Sequence, residues 1–437
     1  MNLLSPPPLA ILVAFFVTPL IARAADQPPT EWIDPDTGHR IIRLSQEPGS
    51  ASLYFNQNAY TAAGDKVIIT TPEGISTIDL KTRKIDPVVT GKVHVIMAAR
   101  KSREVYYLED GVIYAANLDT HATREIGRPP PHGSVATLNA DETLLAGSTV
   151  DGGAAWQSSG ATSGTTAQAL PGTSGSGHWV GPDGKPVTYA EHKEQMLNQR
   201  LEQHLPMTLF TLNTKTGKVT TFYHSTDWLN HLQFSPTDPT LLMFCHEGPW
   251  HKVDRIWTIR TDGTQLTKIH TRTLNMEIAG HEFWSADGNT IWYDLQTPRG
   301  EDFWVAGYSV NTGARTWYHL QRNEWSVHYN VSRDGSLFAG DGGDSEMVAH
   351  APDGKWIYLF RPQSIPDVAG ISAPNSGRLI RPGYFQSERL VNMSKHDYRL
   401  EPNVTFSADM KWILFRSNRF GAEQVFAVEI ARAASSR

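Results

Sequence analysis

One phrase recurs along the chain and constrains its fold more than any other feature: an apolar strand, a tight turn built around Asp, and a second apolar strand. It occurs as Ala63-Gly64-Asp65 before Lys66-Val67-Ile68-Ile69, and as Asn139-Ala140-Asp141-Glu142 before Thr143-Leu144-Leu145-Ala146. Ser285-Ala286-Asp287-Gly288, Ser332-Arg333-Asp334-Gly335 and Ser407-Ala408-Asp409 open further copies, and Phe234-Ser235-Pro236-Thr237-Asp238 and Ala351-Pro352-Asp353-Gly354 are looser ones. Gly tolerates positive φ and the Asp side chain caps the turn, so each phrase predicts a hairpin. Several are followed by a second turn, such as Leu212-Asn213-Thr214-Lys215-Thr216-Gly217. Two hairpins make a four-stranded sheet, and an array of such sheets makes a propeller. Units starting near residues 55, 93, 134, 230, 281, 328 and 403 predict an all-β, seven-bladed β-propeller. The early strand Arg40-Ile41-Ile42-Arg43-Leu44 is expected to join the last blade, closing the ring so that no edge is left open.

The rhythm breaks once. Residues 151–187 are dense in Gly, Ser and Thr, and Glu191-His192-Lys193-Glu194-Gln195-Met196-Leu197 then turns charged and helix-friendly. Residues 151–200 are therefore expected to be an insertion in the third blade, either a surface loop or a lid over a site. At the N-terminus, an apolar run from Leu9 to Ala22 ends in Ala22-Arg23-Ala24, a small-x-small pattern that predicts a signal peptide over residues 1–24. A single propeller domain over 25–437 would follow, periplasmic or secreted and free of the membrane after cleavage.

Composition narrows the function. A formal net charge of −6 leaves no basic excess for a nucleic-acid partner, while a few local cations still suffice for an acidic sugar. The single cysteine, Cys245, excludes an intrachain disulfide. No Gly-x-Ser-x-Gly elbow and no phosphate-binding Gly loop is present, which argues against a serine hydrolase or a nucleotide enzyme.

Histidine is the unusual residue, with seventeen copies. His231 (in Trp228-Leu229-Asn230-His231), His246, His281 (in His281-Glu282-Phe283-Trp284) and His328 (in Trp325-Ser326-Val327-His328-Tyr329-Asn330) are expected at comparable points of successive blades. His246 lies in Phe244-Cys245-His246-Glu247-Gly248-Pro249-Trp250, and Glu401 and Asn403 open the last blade in Leu400-Glu401-Pro402-Asn403-Val404. Recurrence at equivalent points lowers the odds that each imidazole has a separate structural reason. No linear metal motif is present, although a site assembled across blades would show none. Carboxylate and amide oxygens mixed with imidazole would suit Mn or a similar divalent ion, with Ca the alternative.

At these residues the chain resembles the oligogalacturonate lyases, seven-bladed propellers that degrade short pectin fragments. Tyr54-Phe55-Asn56-Gln57-Asn58-Ala59, Cys245-His246-Glu247-Gly248-Pro249-Trp250, His281-Glu282-Phe283-Trp284, and Asp334-Gly335-Ser336-Leu337 followed by Gly340-Asp341-Gly342 carry the resemblance. It implies His246 as general base and His281 as a metal ligand in a metal-assisted β-elimination on an acidic oligosaccharide. The family's remaining ligands come from a Gln-x-x-His-x-His run, where this chain reads Tyr398-Arg399-Leu400-Glu401-Pro402-Asn403. Glu401 and Asn403 are then the candidate ligands beside His281, and His328, His231 and Gln57 the candidates for binding substrate or assisting the metal. The rival expectation is a non-catalytic, TolB-like periplasmic propeller that binds glycan or protein. Oligomeric state is not legible.

Overall fold

The computed structural model describes residues 28–153, 179–180, 185–187, 189–345, 351–368, 370, 372 and 374–433. The expected signal peptide lies outside them, as does most of the Gly/Ser/Thr-rich stretch.

The seven-bladed β-propeller is the observed architecture. Blades I to VII begin with the inner strands Ala51–Ser52, His94–Ala98, Gly133–Leu138, Trp228–Phe234, Ile278–Trp284, Tyr329–Val331 and Thr405–Phe406. Each continues outward through antiparallel neighbours. The last blade is completed from the other end of the chain. His39–Arg43 pairs antiparallel with Gln424–Arg432, setting Ile41 opposite Val428 and Ile42 opposite Ala427. That pairing covers the edge that the C-terminal strand would otherwise expose.

Blades V and VI depart from the simple array. The outer strand Ile380–Asn392 of blade VI is thirteen residues long, and its first part runs parallel to the outer strand Arg315–Leu320 of blade V. The two blades thereby fuse into one eight-stranded sheet.

The recurring Asp has a structural reason. In all seven blades, the turn after the inner strand closes with one backbone bond to the start of the second strand. The donors are the N–H groups of Thr61, Ala99, Asn139, Ser235, Ser285, Ser332 and Ser407, and the acceptors are the carbonyls of Lys66, Glu104, Leu144, Leu241, Thr290, Leu337 and Trp412. Ser285, Ser332 and Ser407 then donate through their hydroxyls to Asp287, Asp334 and Asp409 at 2.6–2.7 Å. The Asp is a turn cap, which is why it recurs.

Apolar faces interlock between blades: Leu229, Phe234 and Phe244 of blade IV meet Ala146 and Leu209 of blade III in one buried cluster. Close packing shows at Gly147, where an added Cβ would lie 1.9 Å from the Ser134 carbonyl oxygen and 2.6 Å from the Phe210 ring.

Between Leu144–Val150 and Met207–Asn213 of blade III the chain leaves the sheet, and this excursion carries the helix Tyr189–Gln203. Ala, Glu, Lys, Gln, Met, Leu and Arg fill the helix and favour it. It stops at His204, which takes a left-handed φ of 46° two residues before Pro206. Among the described residues, no helix is long and apolar enough to cross a membrane.

Candidate active site

The inner strands of blades IV and V, and the residue just before that of blade VI, each present a histidine held by an acid on or just after the second strand of the same blade. His231 Nε2 lies 2.7 Å from a Glu247 carboxylate oxygen, His281 Nδ1 3.2 Å from Asp294, and His328 Nδ1 2.8 Å from Asp341. Hairpin register produces these pairs. Gly280 sits opposite Asp294 and Tyr329 opposite Gly340, so each acid arrives beside the histidine. His231 and His281 have φ near +50°, where the ladder shifts register, and Asn403 in blade VII shares that conformation. Left-handed φ is costly for these residues. The bulges re-aim their side chains away from the regular pleat.

Two of the dyads converge. The rings of His281 and His328 are 4.9 Å apart, and the Phe55 ring lies 4.6 Å from His328. His328 is fully buried, and its Nε2 is 3.2 Å from the Tyr54 hydroxyl and 3.7 Å from a Glu401 oxygen. Burial opposes charge on His328, but Asp341 and then Glu401 outweigh it and raise its pKa. Glu401 keeps 29% of its side chain exposed. Burial would raise its carboxyl, yet His328, Lys193, His281 and Arg416 hold it below its ordinary value.

The third dyad belongs to a buried charge network. Arg255 donates to Glu247 at 2.8 Å and to Glu282 at 3.2 Å, and the Cys245 thiol donates to Glu282 as well. The Arg255 guanidinium lies 5.5 Å from the centre of the Trp250 ring, whose edge faces His281.

His246 stands apart from these residues, on the side of blade IV that faces blade III. Its Nδ1 is 3.5 Å from Asp227, its ring lies tilted against Trp257 at 5.0 Å, and its Nε2 is buried without a partner. Burial lowers its pKa, against the opposing pull of Asp227 and Asp254. The imidazole is therefore neutral near pH 7 with a free nitrogen, which is the state a base requires.

The helix Tyr189–Gln203 reaches across to this face. Glu194 lies 3.8 Å from Arg299 of blade V, Asn198 accepts from Lys252 of blade IV, and the Arg200 guanidinium lies 5.4 Å from the Trp228 ring. These anchors leave Lys193 exposed, with its charge felt at Glu401.

A protein-family model described as oligogalacturonate lyase matches residues 202–433, more than half of the chain. The chain belongs to the oligogalacturonate lyase family. Among curated relatives, the oligogalacturonate lyase of Dickeya dadantii and the oligogalacturonide lyase of Pectobacterium atrosepticum are each 25% identical over 229 residues. That match covers 51% of this chain and 55% of either relative, so it spans about half of their length. Two solved structures share the fold. An oligogalacturonate lyase in complex with manganese has a TM-score of 0.69 at 22% identity, and the oligogalacturonate lyase of Vibrio parahaemolyticus 0.67 at 19%. Each comparison covers 92% of this chain and 96% of the other.

The family segment contains His231, His246, His281, His328, Glu401 and Asn403, and leaves out Gln57. Two of the expected residues have side chains committed to the backbone. Asn403 is fully buried, donates to the Glu401 carbonyl at 3.0 Å and accepts from the Phe55 N–H at 3.4 Å. Gln57 donates to the Ile96 carbonyl and accepts from the Tyr54 N–H, both at 3.0 Å, which ties blade I to blade II. Asp294, Asp341, Asp227, Arg255 and Lys193 are site residues that sequence reasoning did not reach. Asp341 alone had a signal, inside Gly340-Asp341-Gly342. The others depend on register across strands or on the position of the helix.

A divalent cation is compatible with the donor chemistry, because Glu401 and the His281 ring are both neighbours of His328, at 3.7 Å and 4.9 Å. Asp294 holds Nδ1 of His281, which orients the ring as second-shell acids orient metal-binding histidines. Among the described residues no three His, Cys, Asp or Glu side chains converge as a ligand set, so the chain offers two donors rather than a closed cage.

Proposed function

We propose that this protein is a polysaccharide lyase that cleaves oligogalacturonate, or a closely related uronate oligosaccharide, by β-elimination and leaves a 4,5-unsaturated sugar. The observation that carries the reading is His246: within the family segment, it is a neutral imidazole with one nitrogen facing Asp227 and the other buried without a partner. The proton on C5 passes to the His246 imidazole, its bonding pair becomes the C4=C5 double bond, and the C4 oxygen leaves with the C4–O pair and is protonated from water. Asp227 stabilises the imidazolium formed in that step. Trp257 fixes the plane of the ring, so the base does not have to be ordered during the reaction.

Charge that develops on the uronate carboxylate has to be met by the site. His281 and Glu401 would hold a divalent ion, manganese by its occurrence in the solved relative, and such an ion supplies Lewis-acid stabilisation of that carboxylate. Lys193 on the helix adds positive charge beside Glu401, and Asp341 favours the protonated form of His328 by raising its pKa; both favour an acidic oligosaccharide over a neutral one. His231, held by Glu247, is the third imidazole on this face.

The test is the ultraviolet absorbance of unsaturated product during incubation with oligogalacturonate. It is run with Mn, after chelation, and with a folded His246→Ala variant. Absorbance that rises in the wild type, falls on chelation and drops about 10²–10⁴-fold in the variant is the expected result. Silence across a panel of uronate oligosaccharides would sink the reading.

A further inference from the structure

The seven equivalent turns also surround the far end of the central channel, a cavity of about 470 Å³ that shares Phe55 and His231 with the candidate site. The residue after each N–H donor of the turn bond occupies one place on a ring, and all seven line the cavity: Ala62, Arg100, Ala140, Pro236, Ala286, Arg333 and Ala408. Five are small and uncharged. The two arginines come from blades II and VI, three blades apart, which is as far across the mouth as a sevenfold ring allows. His281 and Ala286 are five residues apart on one strand and its turn, so at roughly 3.3 Å per residue this ring lies at most about 16 Å from the histidine layer.

Neither arginine makes a hydrogen bond or ion pair with a described residue, whereas most other arginines of the chain hold a carboxylate or a carbonyl. Arg100 is only partly exposed, and burial without a compensating acid lowers its pKa to about 10. No acid among the described residues lines the cavity, and the acids nearest in sequence are engaged elsewhere: Glu104 accepts from Arg124 and Asp334 from its own turn, while Glu142 accepts from the backbone N–H groups of Lys101 and Ser102. A guanidinium enclosed without a counter-charge is unfavourable, and its fork of donors matches an oxyanion.

We propose that Arg100 and Arg333 make the far mouth of the central channel an oxyanion-binding region for a carboxylate or phosphate, apart from the histidine dyads. The carboxylate of a free uronate and inorganic phosphate share this chemistry, and the experiment separates them.

Phosphate and galacturonate are titrated calorimetrically into the intact wild-type protein at constant ionic strength. The same titrations are made with Arg100→Gln, Arg333→Gln and the double variant, and folding is checked by circular dichroism. At least one anion is expected to bind saturably to the wild type, with affinity reduced about threefold or more by each single change and about tenfold or more by both. Binding of galacturonate alone identifies the source as an acidic sugar; binding of phosphate alone identifies it as phosphate. Arg333 is exposed in a turn, so Arg333→Gln keeps the test decisive if changes at Arg100 disturb folding. The proposal is overturned if neither anion binds, or if affinity is unchanged in a folded variant. No turnover is read, so either result is independent of the lyase assay.

Discussion

Replacing Arg255 by Met removes the guanidinium that bridges Glu247 and Glu282 in the buried network beside the site and leaves His231 as the remaining partner of Glu247. Arg255, Glu247 and Glu282 expose 3%, 8% and 1% of their side chains, so solvent cannot take over the role of the guanidinium. Met fills much of the volume, which leaves two buried carboxylates without their shared guanidinium as the main loss. Breaking a buried pair by removing one partner costs about 3–5 kcal/mol. At about 2.1 cal/mol/K per residue over about 400 ordered residues, 4 kcal/mol corresponds to a fall of about 5 °C in Tm.

The loss carries a pH signature that a packing defect would lack. Burial would raise the Glu247 carboxyl, but Arg255 and His231 outweigh burial and hold it well below the ordinary range. A depressed carboxyl contributes stability above its unfolded pKa of about 4.3, and that contribution is lost as pH falls toward the folded value. In the variant the Arg255 contribution is gone, so the gap to wild type should be widest above about pH 5 and narrow as pH falls below about 4.3. Thermal melts of both proteins across that range measure it. A loss below about 1 °C, or a gap that stays constant with pH, would falsify the assignment of Arg255 as the compensating charge.

Two further predictions concern activity. Because burial lowers the His246 pKa, the acid limb of kcat/KM for the elimination should have its midpoint below about 6.5, and a midpoint above that value would exclude His246 as the free-enzyme base. Lys193→Ala should raise KM for oligogalacturonate about two- to tenfold with a smaller change in kcat, since its charge lies beside Glu401 without touching His246. Initial rates over a substrate series would show this, and an unchanged KM would remove the helix from the substrate site.

Much of the fold was legible because hairpin turns are local. A turn needs Asp, Ser or Gly within a few residues, so the phrases mark six of the seven blades before any long-range contact is known, the Ala351 copy being a second turn of blade VI. Even blade II, which lacks the full phrase, keeps the same backbone bond from Ala99 to Glu104. The fusion of blades V and VI was hidden, because nothing in Ile380–Asn392 reveals that its first part will run beside Arg315–Leu320.

The candidate site divides in the same way. The sequence by itself determined that histidines recur at one point of successive blades and that Glu401 stands at the start of the last. Tertiary structure decided what each one does. Strand register brings Asp294 to His281 and Asp341 to His328, while bulges and burial turn Asn403 to the backbone and leave His246 Nε2 without a partner. The helix places Lys193 near a carboxylate two hundred residues away in the chain. Propensity and turn chemistry act over a few residues, so they survive in the linear sequence. Charge pairing and desolvation depend on which surfaces the closed ring brings together, and these exist only once the first and last strands have met.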